Sequence, residues 1–184
     1  MKKDDDVPFS YLVKVGHISA NPVEVTLSAD AEERAGLAEL WSVLEVKALD
    51  ASFTVQRWKR DGVRLKGRVK ADIVQACVVT LDPVESHIDE PVELVFVPEG
   101  SKLARMPVSS ETGEVLLDPD GPDAPEIFTG DTIDAGAVAA EYAALAIDPY
   151  PRKADVDFSG HIESTDKDDK KPSPFAVLKD WKKD

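Results

Sequence analysis

Residues 62 to 73 alternate small or apolar side chains with charged ones, the period of two that a β-strand converts into two faces. Small or apolar residues occupy positions 63, 65, 67, 69, 71 and 73, and four cations stand between them, Arg64, Lys66, Arg68 and Lys70. The pattern predicts a strand with one packed face and one row of cations. We expect it to continue through the uncharged segment 74–81 and to end at Asp82-Pro83, because proline cannot donate to a ladder.

Further strands and two helices are predicted on either side. Segments 9–15 and 22–27 are expected to pair as a hairpin, 43–58 to pair with the opening strand through a turn at Asp61-Gly62, and 88–97 to lie at an edge or a bulge because of Pro91. Asp30 and Glu33 have the spacing of a capping box before a helix over about 30–42. An alanine-rich helix begins at Thr132 or Asp134 and ends before Asp148.

These elements predict an α+β fold, a curled antiparallel sheet of about five to seven strands with two main helices, with a barrel-like closure as one alternative. We expect one domain over residues 9–154, with a disordered N-terminus over 1–8. Within the domain, residues 98–131 are rich in proline, glycine and acids and predict a long acidic loop. Residues 155–184 predict a polar C-terminal segment with a short helix over 174–181.

The composition does not change the predicted fold, but it restricts the classes of function that the chain can have. The chain has 184 residues, 42% of them hydrophobic, a formal net charge of −14 and a single cysteine. Such acidity argues against attraction of the whole molecule to nucleic acid or to anionic membranes. One cysteine allows no internal disulfide, and acids follow Lys2-Lys3 where a signal peptide would be apolar. We therefore expect a protein of the reducing cytoplasm.

The positive charge is concentrated in one stretch. Residues 57–70 carry seven cations and one acid, a balance of +6, so the rest of the chain carries −20. One interpretation is a solvated sheet face whose cations pair with acids on neighbouring strands, such as Glu45 and Asp50. A second is an RNA-binding patch with Trp58 as a stacking residue, and a third is a surface for a protein partner. The candidate binding residues are Arg57, Trp58, Lys59, Arg60, Arg64, Lys66, Arg68 and Lys70.

No catalytic or cofactor motif emerges from the other chemistry-bearing residues. Cys77 is the candidate nucleophile, but His17, His87 and His161 stand in unrelated segments without a catalytic signature. A Cys77–His87 metal pair lacks further ligands at metal-site spacing, and Gly62 and Gly67 do not have the spacing of a phosphate-binding loop. We expect no enzyme activity, no metal and no cofactor, and a structural role for Cys77, since free cysteine is among the most buried residue types.

Four sequence blocks in order resemble the YceD family, the large ribosomal RNA subunit accumulation proteins, in a form similar to alphaproteobacterial members. The blocks are Gln75 to Pro83, Ile88 to Pro98, Ile133 to Arg152 and Pro174 to Leu178. The resemblance covers most of the chain from about residue 9. It implies a bacterial cytoplasmic, non-enzymatic factor that supports accumulation of large-subunit rRNA.

The resemblance also shows where this chain departs from its relatives. Many relatives carry Cys-x-x-Cys at the strand end, and some add a second cysteine cluster near the C-terminus that looks metal-binding. Here Cys77 matches the first cysteine, Thr80 stands at the second, and 148–152 occupies the region of the distal cluster. The matching positions, expected to be structural, are Cys77, Thr80, Asp82, Pro83, Asp148, Pro149, Tyr150, Pro151 and Arg152.

The sequence therefore predicts a ribosome biogenesis factor that binds 23S rRNA or a ribosomal protein. In this interpretation the cations face RNA, and the acidic segments 98–131 and 155–169 engage a basic ribosomal protein. The alternatives are a protein-interaction module without nucleic-acid binding and an enzyme that uses Cys77. We expect no membrane partner, and the oligomeric state is left open.

Overall fold

The computed structural model describes residues 7–16, 18, 21–104, 124–154 and 156. The chain divides into two compact units, Met1–Lys153 and Ala154–Asp184, and the fold below is that of the first. Several predictions fall outside the described residues: disorder over 1–6, the middle of the acidic loop over 105–123, and the C-terminal helix over 174–181.

The described residues form seven strands and two α-helices, which confirms the α+β class. The strands are β1 (Leu12–Lys14), β2 (Val23–Ser28), β3 (Glu45–Trp58), β4 (Gly62–Ala76), β5 (Pro83–Pro98), β6 (Glu126–Phe128) and β7 (Thr132–Asp134). The helices are α1 (Ala31–Trp41) and α2 (Ala135–Leu145), and a short 3-10 helix covers Lys102–Ala104. No helix in this part of the chain is long and apolar enough to cross a bilayer.

The strands form two sheets. Five of them lie in the order β2-β3-β4-β5-β6, and β1 pairs with β7 in a separate two-stranded sheet. Neighbours in the larger sheet are antiparallel except β5 and β6, which are parallel. The sheet is therefore mixed, and within the described residues its edge strands β2 and β6 are not joined, so the barrel-like alternative is wrong.

Alternation along β3, β4 and β5 gives the large sheet one buried and one solvent-facing side. The buried side carries Phe53, Leu65 and Val92, each at most 1% exposed. Leu37 of α1 and the alanines of α2 belong to the same hydrophobic core, so both helices cover this side. The opposite side of the sheet is left to polar residues.

Local sequence signals explain how the helices begin. Asp30 accepts hydrogen bonds from the backbone N–H groups of Glu32 and Glu33, and the Glu33 carboxylate accepts one from the Asp30 N–H, so the predicted capping box is present. Asp134 caps α2 by accepting from the N–H of Ala137, 2.9 Å away. Small side chains let α2 pack closely, and Ala139 and Ala143 are fully buried.

Long-range pairing corrects several predicted boundaries. Segments 9–15 and 22–27 do not form a hairpin, because β1 pairs with β7 and β2 pairs with β3. The opening strand ends at Ala76 rather than Leu81, and β5 begins at Pro83 rather than residue 88. Part of the predicted acidic loop is strand β6, which pairs with the end of β5. Pro91 lies where β5 has no strand on its other side among the described residues, in accord with the predicted edge.

Candidate functional site

The four cations of β4 lie together on the solvent-facing side of the sheet, as their alternation predicts. This set, Arg64, Lys66, Arg68 and Lys70, is called the cation row below. Their side chains are between 36% and 66% exposed. The inward positions between them are held by residues such as Leu65 and Val69, which expose none of their surface.

Every member of the cation row faces a carboxylate on β5. Glu93 lies 3.8 Å from Arg64 and 3.1 Å from Lys66. Asp89 lies 2.8 Å from Arg68 and 3.6 Å from Lys70. The register explains the pairing, because Glu93 is directly opposite Lys66 and Asp89 is directly opposite Lys70.

The neighbouring acids halve the net charge of the cation row, from +4 to +2. The hydrogen bond from Arg68 holds the pKa of Asp89 below its usual value, and this carboxyl therefore stays ionised. The suggested partners were Glu45 and Asp50, but the carboxylates that form the ion pairs are on β5. The cation row therefore has the geometry of an ion-paired sheet face.

The cations at the end of the β3–β4 hairpin differ from the cation row in their ion pairing. Residues 57–61, called the hairpin tip, include Arg57, Lys59 and Arg60, all exposed. None of these three forms an ion pair with any residue that the structure describes. Arg57 donates from Nη2 to the carbonyl oxygen of Arg60 at 2.7 Å, which ties its guanidinium to the turn. The three cations of the hairpin tip are therefore not ion-paired with described residues, and three cations with one acid, Asp61, give the tip a net charge of +2.

Trp58 is built into this turn rather than projecting from it. The Lys59 ammonium lies over the indole, 4.2 Å from the ring centroid, in a cation–π contact. Gly62 lies against the ring edge, because a Cβ added there would meet Trp58 Cε3 at 2.7 Å. A base stacking on the face that Lys59 covers would first have to displace the ammonium, so the indole is a poorer stacking platform than the sequence suggests.

A pocket of about 240 Å³ opens beside the hairpin tip. Its charged lining comes from Arg57, Arg60 and Asp61 of the tip. The apolar part of the lining comes from four other parts of the chain, represented by Val15 with Ile18, by Val63, by Pro98 and by Phe128. Sequence reasoning missed this pocket because Phe128 lies on β6, inside a segment that was predicted to be a loop.

A larger groove of about 460 Å³ runs between α1 and the start of β3. Its charged lining residues are Arg34, Glu39 and Glu45, one cation and two acids. Arg34 already donates to the carbonyl oxygen of Ala29 at 2.7 Å. This groove offers no concentration of one charge sign.

Cys77 begins the turn between β4 and β5. Its N–H donates to the carbonyl oxygen of Asp82 at 2.8 Å, and its carbonyl oxygen accepts from the N–H of Leu81 at 2.9 Å. Leu81 adopts a left-handed backbone with φ of 62°, which is unusual for a bulky residue. These two bonds close the turn at both ends, so the Cys77 segment is a tight backbone loop.

The residues 148–153, called the distal segment, are bound to this turn although they are about 70 positions away in sequence. The buried Gln75 donates from Nε2 to the carbonyl oxygen of Asp148 at 2.9 Å, and the Val78 N–H donates to the carbonyl oxygen of Pro151 at 2.9 Å. Lys153 forms an ion pair with Asp82 at 3.1 Å, and this contact lowers the pKa of the Asp82 carboxyl. The structure thus joins the first and the third of the four sequence blocks that carry the family resemblance.

Hydrogen-bond donors surround the Cys77 sulfur. The Thr80 hydroxyl and the backbone N–H groups of Lys153, Thr80 and Val79 lower the pKa of the thiol from 9.0 to about 6, in spite of burial. The side chain exposes none of its surface.

His87 bonds Asp72 at 2.6 Å, and the described residues contain no group of three side chains suited to a metal ion. His17 and His161 lie outside the described residues.

Comparison with known proteins gives one match. Residues 65–182 match the model of a family described as Large ribosomal RNA subunit accumulation protein YceD. The match takes in nearly all of β4, the Cys77 turn, β5, α2 and the distal segment, whereas the hairpin tip precedes it. No curated protein and no solved structure matches the chain.

Proposed function

The chain belongs to the YceD family of large ribosomal RNA subunit accumulation proteins, and from this membership we propose that it supports 23S rRNA accumulation by binding rRNA directly. A role in ribosome biogenesis follows from the family itself. Direct contact with rRNA, a cytoplasmic location and a non-catalytic mode of action are parts of the proposal.

The observation that carries the proposal is the family match together with the segregated charge of the β3–β4 hairpin. A chain with net charge −14 places a balance of +6 within residues 57–70. RNA binding depends on cations that can replace the counterions of phosphates, and a local cluster can do this on an acidic protein. The acidity elsewhere limits non-specific attraction to nucleic acid.

A basic ribosomal protein is the second candidate partner, and the acidic surplus of −20 outside residues 57–70 favours it. In that case the protein is an interaction module whose cations play no part in recognition. Reversing the charge of Arg64, Lys66 and Arg68 to glutamate would then leave function intact. Direct RNA binding predicts that the same reversal reduces function, since it places three more acids on the hairpin.

A Cys77-dependent enzyme is the remaining alternative. The low pKa of this thiol is a property that catalytic cysteines share. However, a buried side chain gives a substrate no access to the sulfur. Native protein should react slowly with iodoacetamide and unfolded protein rapidly, and fast labelling of the native thiol below pH 8 would support the enzyme instead.

The experiment that tests the proposal removes the gene and measures mature 23S rRNA against 16S rRNA. The deletion should lower this ratio, and the wild-type gene should restore it. A tagged protein recovered from lysate at low and high salt should retain 23S rRNA at low salt and lose it at high salt. An unchanged ratio in the deletion would refute the role, and retention that does not respond to salt would refute charge-based RNA contact.

A further inference from the structure

We propose that the pocket beside the hairpin tip binds one unpaired nucleotide of an RNA strand, with its phosphate on Arg57 and Arg60 and its base against Phe128 and Ile18. The inference rests on the proposed function, because it identifies the part of the hairpin that would contact RNA. The hairpin tip that supplies the phosphate contacts precedes the family match, whereas Phe128 lies inside it.

The first support is the ion pairing of the cations, which differs between the cation row and the hairpin tip. Each member of the cation row already shares a carboxylate on β5, so binding a phosphate there requires competition with Glu93 or Asp89. Arg57 and Arg60 have no such partner among the described residues. A guanidinium has five N–H donors, and the single bond from Arg57 to the Arg60 carbonyl leaves the others for a ligand while limiting its motion.

The second support is the shape and lining of the pocket. Drug-sized ligands occupy about 300–1,000 Å³, so a pocket of about 240 Å³ suits a single small group such as one base. Phe128 is half-buried in its wall, and single-stranded RNA is characteristically recognised by bases stacked on aromatic side chains. An aromatic surface next to two arginines is the combination that a nucleotide requires.

Asp61 determines the expected orientation of the nucleotide in the pocket. Asp61 lines the same pocket and its negative charge repels phosphate, so the phosphate is expected on the arginine side. The carboxylate can accept a hydrogen bond from a base amino group or from a ribose 2′-hydroxyl. A double helix presents neither a free base nor a protruding nucleotide, so the pocket favours single-stranded RNA.

The test compares two double variants that remove the same charge. The first, R57Q/R60Q, changes the hairpin tip, and the second, R64Q/R68Q, changes the cation row. Binding of a short fluorescein-labelled single-stranded RNA is measured by anisotropy over a range of salt. The tip variant should lose roughly tenfold in affinity, and its salt slope should fall by about 0.7, the contribution of the one phosphate contact on a single strand that the two arginines share. The row variant should lose less than about threefold, with little change in slope.

Two further variants test the base and the geometry. Phe128→Leu should weaken single-stranded binding about fivefold without changing the salt slope, because stacking is lost and no charge is removed. Phe128→Tyr keeps the ring and should bind like the wild type, which separates stacking from loss of fold. R57K/R60K keeps the charge but loses the planar fork, so it should retain the salt slope and lose part of the affinity.

Several results would overturn the inference. The inference is wrong if the wild type binds no RNA, if the tip and row variants lose equal affinity, or if a matched duplex binds as tightly as the single strand. It is also wrong if polyglutamate binds as strongly as RNA in a tip-dependent manner, because the ligand would then be an acidic protein. Complementation separates this inference from the proposed function. If the deletion lowers 23S rRNA and R57Q/R60Q restores it fully, the pocket is refuted and the function stands. If the deletion has no effect, the function is refuted.

Discussion

Gly67 lies on the same side of β4 as the buried Leu65 and Val69, against the backbone of β3. A Cβ built on Gly67 would be 1.9 Å from the carbonyl oxygen of Ser52 and 2.8 Å from Phe53 Cδ1. Real Cβ atoms essentially never approach closer than 3.0 Å, so Gly67→Ala requires a separation of at least 1.1 Å at this point. In this register Gly67 is directly opposite Phe53, and its neighbours Lys66 and Arg68 belong to the cation row.

The cost of Gly67→Ala can be worked out from that displacement. Moving β3 and β4 apart by 1.1 Å stretches hydrogen bonds of about 2.9 Å beyond bonding distance, and losing two costs about 2 kcal/mol. Displacing the buried Phe53 ring adds about 1–3 kcal/mol for overpacking. We expect the free energy of unfolding to fall by about 3–5 kcal/mol, a large part of the stability of an ordinary domain.

Urea-induced unfolding followed by tryptophan fluorescence measures this change. Gly100→Ala is the matched control, because it adds the same methyl group where nothing lies within 4 Å. Its φ of 81° makes the left-handed backbone its only expected cost, about 1–2 kcal/mol. If Gly67→Ala is no more destabilising than Gly100→Ala, the strand register described above is wrong.

Three further predictions address the ion pairs and the Cys77 turn. Replacing Asp89 and Glu93 by Asn and Gln raises the charge of the cation row from +2 to +4, so labelled RNA should bind more tightly with a steeper salt slope, and unchanged binding would contradict the pairing. Thr80→Val removes a donor to Cys77 and should raise the pKa of the thiol from about 6, as seen in the ultraviolet absorbance of the thiolate. The folded pKa of the Cys77 thiol is below its unfolded value of 9.0, so ionisation of this thiol stabilises the wild type more than Thr80→Val at high pH. The difference in the free energy of unfolding should shrink as the pH falls from about 9 to about 6, and a difference that stays constant with pH would argue against a native thiolate. Gln75→Ala leaves a carbonyl of the distal segment without its donor and should cost about 1–3 kcal/mol in urea unfolding, whereas a neutral result would mean that water replaces the amide.

Local signals in the sequence predicted the local parts of the fold. The alternation of β4 predicted both of its faces, and Asp30 with Glu33 predicted the start of α1, because these features depend on residues within a few positions of one another. The end of β4 was predicted less well. Residues 74–81 form an uninterrupted uncharged run, so nothing in their periodicity marks the turn that the Cys77 and Asp82 backbone bonds close.

The features that the sequence did not predict depend on contacts between residues far apart in the chain. The pairing of Asp89 with Arg68 depends on the register of β4 and β5, and the bond from Gln75 to the Asp148 carbonyl joins positions far apart in the chain. The pocket beside the hairpin tip also requires tertiary structure, since Phe128 and Arg57 approach each other only after β6 joins the sheet. The cations of the hairpin were predicted as one group, and the structure separates them into a paired row and an unpaired tip.

The most direct test of RNA contact at the hairpin tip is ultraviolet crosslinking of the full chain to RNA in cells, followed by mass spectrometry of its peptides. The account predicts nucleotide adducts on peptides that contain Arg57 to Asp61 or Phe128, with 23S rRNA as the crosslinked RNA. R57Q/R60Q should lose these adducts, and R64Q/R68Q should keep them. Adducts confined to the cation row or to other surfaces, or no crosslink to 23S rRNA, would contradict it.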